Sequence, residues 1–177
     1  MYFKMYFSMF MTLCLFGHVE AKCLANTPPQ ETTSSSAGGC METYTPECGN
    51  LTSLFDYEFL TLLTSEQDGC TVFSCPRGLR PLVHASFENT ELPKPTDIIQ
   101  DTFIIVARYS WGQVEDMLSQ FGIECDGDKW KVTKYLLGIH YATPDKEFRN
   151  LGRDGSYDGM KTEVMQMTCS TAHLPGD

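Results

Sequence analysis

The sequence predicts a β-rich fold, all-β or α+β: an antiparallel sheet or sandwich stapled by disulfides and carrying one short helix. Three observations point there. Beyond Gly69, runs rich in Val, Ile, Phe, Tyr and Thr alternate with clusters of Gly, Pro, Asp and Asn, the texture of short strands joined by turns. One segment in that region has a helical apolar period. Eight cysteines in a chain of 177 residues with an export-type leader point to an oxidising compartment, where thiols pair.

The leader is residues 1–21. Lys4 supplies an early cation, residues 5–16 are apolar except for Ser8 and Thr12, and Val19-Glu20-Ala21 places small side chains where a signal peptidase reads them. The apolar run of about twelve residues is short of the roughly twenty that span a bilayer. No later run approaches that length, since Phe103-Ile104-Ile105-Val106-Ala107 stops at Arg108. The expectation is a cleaved signal, a chain that begins at Lys22, and an extracellular protein without a membrane span.

Residues 22–39 are dominated by Ser, Thr, Pro and Gly. Such a stretch buries too little apolar surface to offset its ordering entropy and reads as a flexible stalk. Residues 40–177 remain as one domain, long enough for an apolar core of its own. Near its start, Asn50-Leu51-Thr52 satisfies the N-glycosylation rule. Residues 51–63 carry two periods at once: Leu51, Leu54, Phe55, Phe59, Leu62 and Leu63 follow a helix, whereas Phe55, Tyr57 and Phe59 alternate with Asp56 and Glu58 as in a strand. That segment stays unassigned. Strands are expected at 70–75, 82–87, 102–109, 130–141 with a bend at Gly138, and 162–169. Val114, Met117, Leu118 and Phe121 follow i, i+3, i+4, i+7 after Ser110, which is read as the N-cap of the helix.

Cys14 leaves with the signal, so seven cysteines remain. Cys40, Cys48, Cys70, Cys75, Cys125 and Cys169 are the expected half-cystines, and Cys23, ahead of the stalk, is the odd one, free, trimmed away or joined to a second chain. In an extended 70–75 segment the α-carbons of Cys70 and Cys75 stand roughly 16 Å apart. A bridge needs less than about 7 Å. These two are therefore expected to tie the strand to separate distant segments. A zinc site would need closer Cys pairs or histidines, and a catalytic thiol would need a reducing setting and a partnered His. Six cysteines admit fifteen connectivities, and the sequence leaves the choice among them open.

The order Cys40, Cys48, then Asp68-Gly69-Cys70-Thr71-Val72-Phe73-Ser74-Cys75, then Cys125 with Trp130 five positions on, and finally Cys169 after a strand-like run resembles the secreted six-cysteine domains of unknown function that are multiplied in nematodes. The likeness covers residues 40–169. It implies an extracellular, disulfide-bonded, β-rich domain with no established activity to carry over. The long interval between Cys75 and Cys125 and the additional Cys23 depart from the pattern. The Cys125-to-Trp130 run with its closing Cys is also similar to complement-control (sushi) modules, which are shorter and use four cysteines.

The formal charge of −10, unchanged when the leader removes Lys4 and Glu20, argues against nucleic acid and anionic membranes as partners, because both require a cationic face. His84, His140 and His173 are the histidines beyond the leader, and the first two lie in strand-like surroundings where a structural imidazole is the commoner role. No nucleophile elbow, zinc-protease pair or phosphate loop occurs. Asp154, Ser156, Asp158 and Gly159 match the start of a calcium loop, but its twelfth position is Met165 and a strand-like run follows, so the Asp-Gly pairs are read as turns. No cofactor is expected. Of the aromatic residues that could anchor a partner, Trp111, Trp130, Tyr135, Tyr141 and Tyr157, Trp130 is expected near a disulfide and Tyr157 at the surface.

The resulting expectation is a non-enzymatic extracellular binding or recognition module, its partner a protein or glycan. The alternatives are a small extracellular hydrolase and a matrix component cross-linked as a covalent dimer through Cys23.

Overall fold

The computed structural model describes residues 40–56, 62–108 and 116–171, all within one compact unit, Ser36–Asp177. The fold is β-rich and antiparallel throughout its sheets, with three disulfides. The strands are β1 (Tyr44–Thr45), β2 (Gly49–Asn50), β3 (Leu63–Gln67), β4 (Cys70–Ser74), β5 (Arg80–Ser86), β6 (Thr102–Val106), β7 (Glu124–Asp126), β8 (Lys129–Val132), β9 (Ile139–Ala142), β10 (Phe148–Leu151), β11 (Thr162–Glu163) and β12 (Gln166–Ser170). A 3-10 turn occupies Leu51–Leu54, and the helix α1 spans Met117–Phe121. No helix among the described residues is long and apolar enough to cross a membrane.

Five strands in the order β10-β9-β6-β5-β12 form the main sheet, and β11-β8-β7 form a second; β1-β2 and β3-β4 are hairpins. Alternation divides the main sheet into two faces. Val83, Ala85, Phe103, Ile105, Ile139, Tyr141 and Met167 point into a core shared with Trp130, Val132 and Val164 of the second sheet region and with Met117, Leu118 and Phe121 of α1.

The helix is where the period placed it, but its cap is Asp116, not Ser110. The Asp116 carboxylate accepts the amides of Leu118 and Ser119, at 3.4 and 3.0 Å, and so satisfies the donors a helix start leaves open. Gly122, in the left-handed region at φ 57°, closes the other end. Ser110 and Val114 lie outside the described residues.

Two expected strands are each cut in two, and in both cases the halves join different sheets. The 130–141 run becomes β8 and β9, separated by a turn in which Gly138 adopts φ 70° and its amide donates to the Tyr135 carbonyl at 2.8 Å. The 162–169 run becomes β11 and β12. Between them the Val164 amide donates to Trp130 O at 2.9 Å, and the next amide, Met165, donates to His84 O at 3.0 Å. Consecutive amides thus serve the two sheets in turn. Residues 51–63 resolve into the 3-10 turn, an isolated parallel bridge from Phe55 to Met167, and the first residue of β3; residues 57–61 lie outside the described residues. The 102–109 strand ends at Val106, and Tyr109 is likewise outside.

Both ends of β4 are fastened, each to a different place: Cys70 to Cys40 and Cys75 to Cys169. The third disulfide joins Cys48 to Cys125. Trp130 lies directly opposite Cys125 in the β7-β8 register and is 5% exposed.

Candidate functional site

The face of the main sheet turned away from the shared core carries a row of side chains that crosses all five strands. Register places Asn150 of β10 opposite His140 of β9, His140 opposite Ile104 of β6, Ile104 opposite His84 of β5, and His84 opposite Gln166 of β12. The five strands set these residues about 5 Å apart, so the row extends roughly 20 Å.

Both ends of the row are tied down. The Asn150 amide nitrogen donates to the Leu137 carbonyl at 2.8 Å and to His140 Nε2 at 2.5 Å, which fixes that imidazole nitrogen as an acceptor. At the other end Gln166 Nε2 donates to Asp56 Oδ2 at 2.9 Å, while the Asp56 amide donates to the Met167 carbonyl at 2.9 Å. His84 sits between them, half-buried. Burial pushes its pKa below the ordinary 6.5, and the Asp56 carboxylate pulls it partly back up. The net effect favours the neutral imidazole.

Three adjoining hollows meet at His84. One, of about 400 Å³, reaches Leu54 and Met165; a second, of about 450 Å³, runs along β12 past Asp56, Thr168 and Ser170; a third, of about 260 Å³, extends past Thr102 and Ile104 to Phe148. Among the described residues their lining includes no Lys or Arg, and its one carboxylate there, Asp56, is already paired to Gln166. Such a surface suits a neutral, hydrogen-bonding ligand and offers little to a phosphate. Apolar groups frame it, with Met165 and Phe148 each 49% exposed.

The geometry separates the groups that acid–base chemistry would need together. His84 and His140 have Ile104 between them, two strand spacings or about 10 Å, too far to share a proton or a metal. Among the described residues no three His, Cys, Asp or Glu side chains converge as metal ligands. In the calcium-like segment, Asp154 Oδ1 accepts the Ser156 amide at 3.1 Å and Asp158 Oδ1 accepts the Tyr135 amide at 2.8 Å, so both carboxylates serve turns. His173 lies outside the described residues.

Four of the five aromatic residues considered as partner anchors, Trp130, Tyr135, Tyr141 and Tyr157, turn out to be structural. Trp130, Tyr135 and Tyr141 are core residues. Tyr157 is not the surface residue it was expected to be: its ring is half-buried, packs edge-on against Tyr135 with centroids 6.1 Å apart, and leaves Gly152 no room for a side chain. Trp111 is outside the described residues. Among the described residues the exposed aromatics are instead Tyr44 and Phe148, at 64% and 49%, neither of which has a sequence pattern to mark it.

Asn50 is exposed at the cap of the 3-10 turn, where its Oδ1 accepts the Thr52 amide at 3.0 Å and the Thr52 hydroxyl at 2.8 Å. Cys23, expected to be free or intermolecular, falls outside the described residues.

A family model described as TRA-1 regulated protein R03H10.4 matches residues 38–169. That span includes every half-cystine of the three disulfides and the whole row from Asn150 to Gln166. No curated protein and no solved structure matches the chain.

Proposed function

From the premise that the chain belongs to the TRA-1 regulated protein R03H10.4 family, we propose that it is a secreted recognition module, carried on the 22–39 stalk and binding an extracellular protein or glycan through the outward face of the main sheet. The observation that carries this reading is the convergence of three hollows on His84, in a setting of hydrogen-bonding side chains that, among the described residues, holds no Lys or Arg and is edged by Met165 and Phe148. Binding is favoured over catalysis because the row keeps its two imidazoles apart. Export is supported by the leader at residues 1–21 and by a fold closed with three disulfides, a bond type that persists in oxidising compartments. Asn50 is the proposed glycan acceptor: it is exposed, and the sequon threonine already contacts its amide oxygen.

Intact-mass analysis of chain released from secreting cells, without reduction, tests the first half of the reading. The expected product starts at Lys22, carries three bridges and gains a glycan that Asn50→Gln abolishes; a chain retained inside cells, uncut and reduced, overturns it. The binding half is tested on arrays of extracellular proteins and glycans. Thr102→Lys, at an exposed position inside the hollows, is expected to abolish binding with the fold intact. Undiminished binding by that variant rules out this face.

A covalent dimer is the second reading. Six of the seven cysteines beyond the leader are paired within the chain, which leaves Cys23 for a second copy. A dimer seen on non-reducing gels and lost in Cys23→Ser supports it.

A further inference from the structure

We infer that the Cys40–Cys70 disulfide is a thiol-exchange site: a surface latch that small thiolates open without unfolding the domain. The three bridges are not equivalent. Cys48, Cys75 and Cys125 pack against the core, and Cys169 is 1% exposed. Cys40, in contrast, is an exposed residue, and Cys70 is half-buried. Exchange requires a thiolate to reach one sulfur of the bond, so access ranks this bridge first.

The approach is built into the surface. Cys40 and Cys70 stand in the wall of a hollow of about 390 Å³ that also borders Met41, Gln67, Asp68 and Val72. The hollow is large enough to seat a small thiol against the sulfurs. The attacking thiolate forms a bond to the exposed Cys40 Sγ as the Cys40–Cys70 bond breaks, and Cys70 leaves as a thiolate that takes a proton from water. A second thiolate then attacks the sulfur of the first, the bond from that sulfur to Cys40 breaks, and Cys40 leaves as a thiolate that also takes a proton from water. The small thiol ends oxidised as its own disulfide, and the protein ends with two reduced cysteines.

The fold is arranged to survive this. Cys70 opens β4 at the tip of the β3-β4 hairpin, and β3 is exposed along its length. The rest of β4 is held by other means: Val72 and Phe73 are buried, the Phe73 amide donates to Asp116 Oδ1 at 3.4 Å, and Cys75, just past the strand, is bonded to Cys169. Opening the latch therefore parts residue 40 from the hairpin tip and leaves these deeper contacts in place.

The test uses the exported chain with its disulfides intact and Cys23 first blocked by alkylation. Cysteamine is applied at rising concentration at about pH 8, near the range where thiols ionise, followed by acid quench, a second alkylating label and peptide mass mapping. Cys40 and Cys70 are expected to label about tenfold faster than the other four, as expected for a difference in access, while circular dichroism stays unchanged. Simultaneous labelling of all six, or earlier labelling of another pair, overturns the inference. A Cys40→Ala/Cys70→Ala variant provides the second check: it is expected to fold with the remaining two bridges and to lose the fast phase. Its failure to fold would show that the bridge is structural, and would equally overturn the inference.

Discussion

The phenol oxygen of Tyr135 lies 2.6 Å from the hydroxyl of Thr162, and that hydroxyl lies 2.6 Å from the hydroxyl of Thr90. Tyr135 also donates to the Met160 carbonyl at 3.2 Å, so a chain of hydroxyls joins the connection after β8, the edge strand β11 and the loop after β5. Tyr135 and Thr162 are fully buried. The polar chain thus holds together segments that are distant in sequence, at the place where the two halves of the expected 130–141 strand part.

Removing that phenol hydroxyl isolates its contribution. Tyr135→Phe keeps the ring against Tyr157 and deletes the hydrogen bonds, so it should cost about 1–2 kcal/mol in urea unfolding. Burial raises the phenol pKa to about 12 from 10.0. A raised folded-state value means the stabilisation is fully present below pH 10 and is lost as pH climbs through about 12, because above pH 10 the unfolded chain can ionise the ring and the folded one resists. Tyr135→Phe should flatten the stability loss between those values. An alkaline unfolding curve identical to that of the parent would show that another group controls it.

Gly138 makes the turn from one sheet to the other. At φ 70° it occupies the left-handed region, and a Cβ there would stand 2.1 Å from the Leu151 carbonyl oxygen. Backbone is in the way, so no side-chain rotation relieves the clash. Gly138→Ala should cost at least about 2 kcal/mol, lowering the melting temperature by roughly 6–10 °C. A loss below a degree or two would mean that the turn rebuilds.

His84 supplies the pH dependence of the proposed binding face. Its folded-state pKa lies below 6.5 because burial opposes the charge. A lowered value for a base means its stabilising effect is present above pH 6.5 and is lost as pH falls through the folded pKa. In an NMR titration the His84 ring protons should therefore shift below the range of an exposed histidine. Asp56→Asn removes the carboxylate charge that raises the value and should move the titration lower still. A midpoint at or above 6.5 contradicts the assigned burial.

The sequence made the class of fold legible through side-chain chemistry, and it failed where strand pairing decided. Alternation around Phe103 and Ile105 and the period of Met117, Leu118 and Phe121 were readable because each repeats a burial pattern. The edge strands β3 and β10 were not. All five β3 residues and Phe148-Arg149 are exposed, so no apolar period marks them. The division at Val164 and Met165 was invisible because it depends on which carbonyls two consecutive amides meet. The candidate face was hidden for a related reason: His84 and His140 looked like isolated strand histidines, and only register shows that they belong to one row with Asn150 and Gln166.

The bridge between Cys75 and Cys169 should be the most stabilising of the three. It spans a sequence separation of 94 residues, against 77 for Cys48–Cys125 and 30 for Cys40–Cys70. Chain entropy grows with the logarithm of loop size, so the longest bridge exceeds the shortest by about 1 kcal/mol on a contribution of about 4–5 kcal/mol. Location adds to this, because Cys169 is buried on β12 where the main sheet meets the segment after β4, whereas Cys40 is exposed. Urea unfolding of Cys75→Ala/Cys169→Ala and of Cys40→Ala/Cys70→Ala gives the comparison directly. The first pair should lose more stability than the second by at least about 1 kcal/mol. If the order reverses, the surface bridge is the principal staple of the fold and the core-embedded one is secondary.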